Sequence, residues 1–170
     1  LGKMGCINFH PAPLPDYKSH AGYNTAILDK RNEYGVSVHF IDSEDFDSGP
    51  IINVLRFPMD HFTETAYSLE KKAQKKLLEL FRETIDLFLK GTSIATTPNG
   101  KGLYLTKEQL ESLKVIDIKN DAPDVIDRKI RAFFFPPHKG AFIKINDKEF
   151  TLINDAILKY ISEHIGHEEI

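Results

Sequence analysis

The sequence predicts an α/β fold built on a parallel or mixed sheet, followed by a small α+β appendage that contains a β-hairpin. Three observations predict it. A short apolar run at 4–9 has the composition of a strand buried on both faces, as in a parallel sheet, and β-branched runs follow it after a helix-forming stretch. The segment 63–90 carries apolar residues at spacings of three and four, the period of one helix face. Towards the C-terminus, 141–145 and 149–153 flank Asn146, Asp147 and Lys148, the pattern of two strands and their turn.

Each element has a local cause. Pro11, Pro13 and Pro15 stop the first strand, and because proline lacks an N–H and disfavours helix in the residue before it, 11–15 must be an extended, stiff loop. Ala21, Ala26, Ile27 and Leu28 give a short helix within 21–31, closed by the polar stretch 32–35. Strands are predicted at 36–41 and 51–57, the second behind the turn Asp47-Ser48-Gly49-Pro50, so that two strands flank an acidic loop. In 63–90 the apolar face is Leu69, Ala73, Leu77, Leu80, Phe81, Thr84 and Phe88, while Glu70, Lys71, Lys75, Glu79 and Glu83 meet solvent and Gly91 marks the stop. The next segment, 92–102, has the polar, glycine- and proline-containing composition of a linker, which divides the chain into 1–91, 92–102 and 103–170. In the last unit Thr106-Lys107-Glu108-Gln109 has the form of a capping box opening a short helix, 123–133 is a second helix, and the hairpin follows. Leu1 is not an initiator residue and the chain enters a strand almost at once, so an upstream segment is expected.

Composition excludes several function classes. Net charge is −3, from 22 Lys+Arg against 25 Asp+Glu, which supplies no positive field for a polyanion, so nucleic acid is not the default partner. The single cysteine, Cys6, forms no internal disulfide and is expected to be a small buried residue of the first strand. No apolar run approaches the roughly 20 residues that cross a bilayer, and the start has no signal-peptide core, so a soluble, cytoplasmic protein without a membrane partner is expected.

The chemistry is concentrated in Asn8-Phe9-His10-Pro11-Ala12-Pro13-Leu14-Pro15. Residues i and i+2 of a strand share a face, so Asn8 and His10 project together at the strand end, where the proline loop pins them. Ligands of open α/β sheets bind at such ends. An amide that donates to a developing oxyanion, beside an imidazole that moves a proton near neutral pH, suits acyl transfer. Asp47, on the acidic loop after a neighbouring strand, is the candidate for the third member; Asp42, Glu44 and Asp45 read as solvated.

The motif Asn-x-His-Pro-x-x-Leu-Pro, followed by Asp47-Ser48-Gly49, resembles the 10-formyltetrahydrofolate-dependent formyltransferase family. The resemblance covers 5–91, and more loosely 128–133 and 136–141. It implies the C-terminal half of a Rossmann-like catalytic domain whose N-terminal part is missing, with Asn8, His10 and Asp47 as the catalytic set. It also implies that the pteridine of 10-formyltetrahydrofolate lies against the 42–47 loop, mostly through backbone groups, with Asp42, Ser43, Glu44, Phe46 and Leu14 around it. His20, Tyr23 and Asn24 fall where the acceptor would pass. No metal is required, and a His10/His20/His39/Asp47 metal site matches no spacing typical of one. One departure is Ser19, which stands where the family commonly has glycine.

Within that family the sequence favours formyl transfer to the primary amine of a nucleotide-linked amino sugar. Methionyl-tRNA formyltransferase is the alternative, disfavoured because 101–170 interleaves acidic and basic residues without a basic stripe. Glycinamide ribonucleotide formyltransferase ordinarily lacks such an appendage. A reading from another class is a non-catalytic folate- or partner-binding module, against which the joint presence of Asn8, His10 and Asp47 argues. His39 reads as structural. Phe133, Phe134 and Phe135 read as a packing seam or a stacking platform; Arg128, Lys129 and Arg131 as phosphate contacts or a solvated face. Oligomeric state is open, with exposed aromatic residues able to pair two subunits as a homodimer.

Overall fold

A computed structural model describes residues 5–165. The predicted strand residue Met4 and the last residues of the appendage lie outside that range. The elements run β1 (Ile7–His10), α1 (Gly22–Leu28), β2 (Glu33–Phe40), β3 (Ile51–Pro58), α2 (Ala66–Leu89), α3 (Lys107–Leu113), α4 (Pro123–Phe133), β4 (Phe142–Ile145), β5 (Lys148–Thr151) and α5 (Asp155–Ile165).

Among the described residues the main sheet has the order β1-β2-β3, and both pairings are antiparallel. Where a parallel strand buried on both faces was expected, β1 pairs antiparallel with β2, its one strand partner among the described residues, and Ile7, Asn8 and Phe9 are half-buried while His10 is buried. A short apolar run reads the same way in a parallel core strand and in a strand at the side of an antiparallel set. Cys6 is exposed rather than buried because it precedes the strand; its carbonyl accepts the Ile41 N–H at 2.8 Å.

The proline loop is the most deeply embedded loop near the site. Ala12 and Leu14 are buried, the Ser37 hydroxyl donates to the Ala12 carbonyl at 2.7 Å and accepts the Leu14 N–H at 2.8 Å, and the Tyr34 hydroxyl donates to the Pro11 carbonyl at 3.0 Å. β2 thus sews down the segment that follows His10.

α2 starts at a capping box in which Thr65 and Ser68 each accept the other's backbone N–H. Leu69, Ala73, Leu80 and Thr84 of its predicted face are buried, and full burial of each leucine contributes about 1.5–3 kcal/mol. Phe81 is half-exposed, with its ring 5.2 Å from that of Phe9. α3 has the predicted Thr106/Gln109 capping box, and α4 begins with Pro123 at its first position. β4 and β5 pair from Phe142–Thr151 to Ile145–Lys148, leaving Asn146 and Asp147 as a two-residue turn with φ of 47° and 64°, the form that matches the strand twist. α5 is not foreseen by the sequence reading, although Asn154 accepts the Ile157 N–H as a cap and Ile157, Tyr160 and Ile161 share its inner face.

The two predicted units share one core. Tyr34, Val36 and Val38 of β2, Leu69 and Leu80 of α2, and Ala26 and Ile27 of α1 belong to the same cluster as Phe133 of α4 and Ile157 of α5. The predicted linker 92–102 is likewise tied down, with Thr97 exchanging both backbone hydrogen bonds with Ile51 at 2.8 and 2.9 Å.

Candidate active site

Strand register brings the chemistry together. β1 and β2 place Asn8 opposite His39 and His10 opposite Ser37. Directly opposed residues of an antiparallel pair have Cβ atoms about 4.5–5.5 Å apart, so His39 meets Asn8 because of where β2 lies. The β2–β3 register also shifts between Val38 and His39, a bulge beside the cluster.

The tautomers follow from the backbone partners. His39 Nδ1–H donates to the Phe40 carbonyl at 2.8 Å, so its Nε2 carries a lone pair, which accepts from Asn8 Nδ2 at 3.2 Å. That lone pair fixes the orientation of the Asn8 amide. The second Asn8 N–H makes only a long contact, 3.4 Å, with Asp47 Oδ1. His10 Nε2–H donates to the Tyr17 carbonyl at 3.0 Å, which leaves Nδ1 facing Asp47 Oδ1 at 3.4 Å.

Asp47 is the hub. Its Oδ1 is approached by Asn8, His10 and, at 3.5 Å, His39; its Oδ2 accepts the Ser19 N–H at 2.9 Å. Asp47 itself has φ of 49°, a left-handed conformation that aspartate tolerates better than most residues. Gly49 follows because a Cβ there would sit 1.9 Å from the Phe40 carbonyl oxygen. Ser19 also has positive φ, 64°, a conformation that glycine adopts more readily than a residue with a side chain. Burial lowers the His10 imidazole against the Asp47 carboxylate, which raises it, so the ring titrates below its ordinary value. Burial works against the Asp47 carboxylate, but its contacts with His39, His10 and Ser19 outweigh that and hold the carboxyl below its usual range.

The remaining predicted residues divide. Leu14 is 1% exposed and held in the core through its N–H, so its expected contact with a donor is corrected: it presents no surface to a ligand. Asp42, Ser43, Glu44 and Phe46 lie on the exposed loop before Asp47, with Phe46 75% exposed. His20, Tyr23 and Asn24 line a cavity of about 520 Å³ together with Lys107, Lys114, Phe133, Phe135, His138 and Lys139. Asn24 also donates to the Ala132 carbonyl at 2.7 Å and so joins α1 to α4. The Tyr23 hydroxyl is buried without a hydrogen-bond partner among the described residues. Arg131 is buried, donating to Asp127 and to the carbonyls of His61 and Glu64, and Lys129 is held by Asp121 and the Val115 carbonyl, so neither is free for phosphate. Phe133 and Phe134 are the packing seam, while Phe135 faces the cavity.

Sequence reasoning assigned His39 a structural part, noted Ser19 only as a departure from glycine and not as a partner of Asp47, and missed Asn99 altogether. Asn99 Nδ2 donates to the carbonyls of Asp47 at 2.9 Å and Gly49 at 3.0 Å. Only the strand register and the path of 92–102, neither of which has a local signal, reveal these partners. Among the described residues no group of three His, Cys, Asp or Glu side chains has metal-binding geometry, and no helix is long and apolar enough to cross a membrane.

The chain is 34% identical over 151 residues to the GDP-perosamine N-formyltransferase of Brucella melitensis, covering 88% of this chain and 56% of that protein. It is 31% identical over 154 residues to the methionyl-tRNA formyltransferase of a Wolbachia from Drosophila simulans, covering 91% and 48%. The chain thus spans about half the length of the curated relatives it matches. Its fold matches the N-formyltransferase of Helicobacter canadensis, solved with folinic acid and dTDP-3-aminofucose, with a TM-score of 0.70 at 25% identity over 85% of this chain and 52% of that one. Residues 2–85, which carry both halves of the Asn-His-Asp cluster, match the formyl transferase family model, and through them the chain belongs to the formyl transferase family.

Proposed function

We propose that this chain is the part of an N-formyltransferase that carries the catalytic Asn8, His10 and Asp47, and that the protein moves a formyl group from 10-formyltetrahydrofolate to the primary amine of a nucleotide-linked amino sugar. The observation that carries the reading is the convergence of Asn8, His10 and His39 on one Asp47 oxygen, with His10 Nδ1 facing, among the described residues, only that carboxylate.

The geometry suggests the steps. The neutral amine attacks the formyl carbon, the new C–N bond forms, and the carbonyl electron pair moves to oxygen. Asn8 turns its weakly held N–H from Asp47 to that oxyanion, while the N–H accepted by His39 keeps the amide oriented. His10 Nδ1 takes the proton from the attacking nitrogen, and the Asp47 carboxylate stabilises the imidazolium that results. Cleavage of the bond to N10 of the folate, with a proton delivered there, releases tetrahydrofolate. Because burial lowers the His10 imidazole, it is neutral and ready to accept at pH 7.

The sugar acceptor is supported by the cavity beside His20. It combines aromatic walls, Tyr23, Phe133 and Phe135, with Lys107, Lys114 and Lys139; Lys114 is paired with Glu111, which also lines the cavity, and Lys139 with Glu149, so Lys107 is the lysine best placed for the phosphate of a base or sugar carrying a diphosphate. The GDP-perosamine and dTDP-3-aminofucose named for two relatives are of that class. The methionyl-tRNA formyltransferase relative favours a second reading, against which the net charge of −3 weighs.

The test is formyl transfer by the full-length protein from 10-formyltetrahydrofolate to a panel of GDP- and dTDP-linked amino sugars beside charged initiator tRNA, with Asn8→Ala and His10→Ala as controls. Transfer to one sugar, abolished by both substitutions, is the expected result. Transfer to the RNA alone replaces the acceptor, and folate binding without transfer to anything replaces the enzyme by a binding module.

A further inference from the structure

We propose that Asn99 is a positioning residue for Asp47, and that the segment 97–103 is a strap that locks the two halves of the Asn-His-Asp cluster together. The segment has linker composition, yet it is fastened at four places. Thr97 pairs with Ile51; Asn99 holds the carbonyls of Asp47 and Gly49; Gly102 lies so close to the proline loop that a Cβ would stand 1.6 Å from the Pro15 carbonyl oxygen; and Leu103 donates to Asp16 and accepts from Lys18 at 3.0 and 2.8 Å. The strap therefore runs from the turn that bears Asp47 to the loop that follows His10.

The Asn99 amide fits this work on its donor side. Its two N–H bonds meet two carbonyls that bracket Ser48, and the reversed amide would set Oδ1 against both carbonyl oxygens. Its Oδ1 is buried without a partner among the described residues, so the donor pair holds the amide in place. Asp47 needs such a hold. Its φ of 49° is unfavourable for a side-chain-bearing residue, and a turn in that conformation persists only where its surroundings determine it. Releasing Asn99 lets the turn relax and carries the carboxylate away from Asn8, His10, His39 and the Ser19 N–H. A misplacement on the order of 1 Å costs about 100-fold in an enzyme that works by orientation.

The experiment has a structural arm and a kinetic arm on the full-length protein; only the kinetic arm rests on the proposed function. The structural arm follows the Asp47 carboxyl by carbon NMR through an acid titration. The titratable groups facing it are His10 from β1 and His39 from β2. Asn99→Ala is expected to raise the Asp47 midpoint towards its ordinary 3.8, and to lower kcat about 10- to 100-fold while the KM for folate stays within about twofold. Asn99→Gln keeps the donor and recovers part of both, and it is the variant to read if Asn99→Ala does not fold. Asn154→Ala, which removes a cap from α5 far along the chain, lowers Tm and leaves the Asp47 midpoint in place. A folded Asn99→Ala with wild-type Asp47 titration overturns the proposal, as does an equal shift in Asn154→Ala. A shifted midpoint in Asn99→Ala, together with a wild-type protein that transfers no formyl group, supports the strap and defeats the proposed function instead.

Discussion

The Asn-His-Asp cluster and the cavity beside it are built on different physical terms. In the cluster, His10, His39 and Asp47 have side chains 6%, 3% and 10% exposed, and each ring or carboxylate is oriented by a backbone partner. In the cavity, Lys114 is buried and paired with Glu111, but the other charged groups sit on solvent-facing elements: α3 has no buried residue, and Lys139 is engaged by Glu149 of the hairpin. On the proposed function, the difference means that orientation is fixed where the chemistry is general to acyl transfer and left adjustable where one acceptor must be told from another. Preorganised donors act strongly because no reorganisation is required as charge develops, whereas recognition of a phosphate by lysines tolerates movement.

The sharpest way to break that comparison is to remove a group from the cluster. Asn8→Ala deletes the amide donor assigned to the oxyanion, and a fall in kcat of about 100- to 1,000-fold is expected in the full-length protein; a rate within tenfold of wild type would falsify the assignment. His39→Phe ranks next. It keeps the ring's volume but removes the lone pair that orients the Asn8 amide, so kcat should fall about 10- to 100-fold with little change in KM. An effect on KM alone would instead put His39 in contact with substrate.

How far these parts were legible in the sequence follows the same division. Asn8 and His10 were readable because strand periodicity sets them on one face within three residues, and Asp47 because an acidic turn followed a neighbouring strand. The long helix and the Thr106/Gln109 capping box of α3 were readable for the same local reason, whereas the Thr65/Ser68 box of α2, with serine in place of the usual Glu or Gln, was not. His39 was not, because its role depends on lying opposite Asn8 across 31 residues of sequence, and register has no local signature. Asn99 was hidden in a stretch whose composition signals a tether, although its fixed path comes from backbone pairing at Thr97 and Leu103. Leu14 failed in the opposite sense: its place in the motif pointed to a ligand, but the antiparallel pairing of β1 with β2 folds the proline loop inward over Ser37.

On the cavity side the expected effects are smaller. Lys107→Ala removes one charge from the wall; at about 1 kcal/mol for a pair near 4 Å in water, the acceptor's KM should rise about fivefold, with kcat unchanged. A kcat effect would mean that the acceptor's charge is used to align its amine. Stability against pH separates the two regions further. Because burial depresses His10 in the folded chain, the unfolded chain takes up its proton first; the contribution is complete above pH 6.5 and is lost as pH falls through the lowered folded value. Asp47 behaves alike below pH 3.8. Thermal unfolding between pH 7.5 and 5 should therefore decline more steeply for wild type than for His10→Gln, while Lys107→Ala keeps the wild-type slope.

The smallest effect is the most discriminating between a wall that is fixed and one that is adjustable. Thr65→Ala and Thr106→Ala remove the same capping box chemistry, about 1 kcal/mol in each case, from α2 and α3. α2 buries Leu69, Ala73 and Leu80 in the shared core, so it cannot loosen without the rest, and Thr65→Ala should lower the global Tm by about 2–4 °C. α3 is seven residues long with none buried, so its first turn can fray alone. Thr106→Ala should leave Tm nearly unchanged, speed amide exchange in 107–113, and raise the acceptor's KM by about twofold, since a 1 kcal/mol local change is only partly transmitted to the wall. If instead Thr106→Ala lowered Tm as much as Thr65→Ala, α3 would be part of the cooperative core, and the cavity would be as preorganised as the cluster it adjoins.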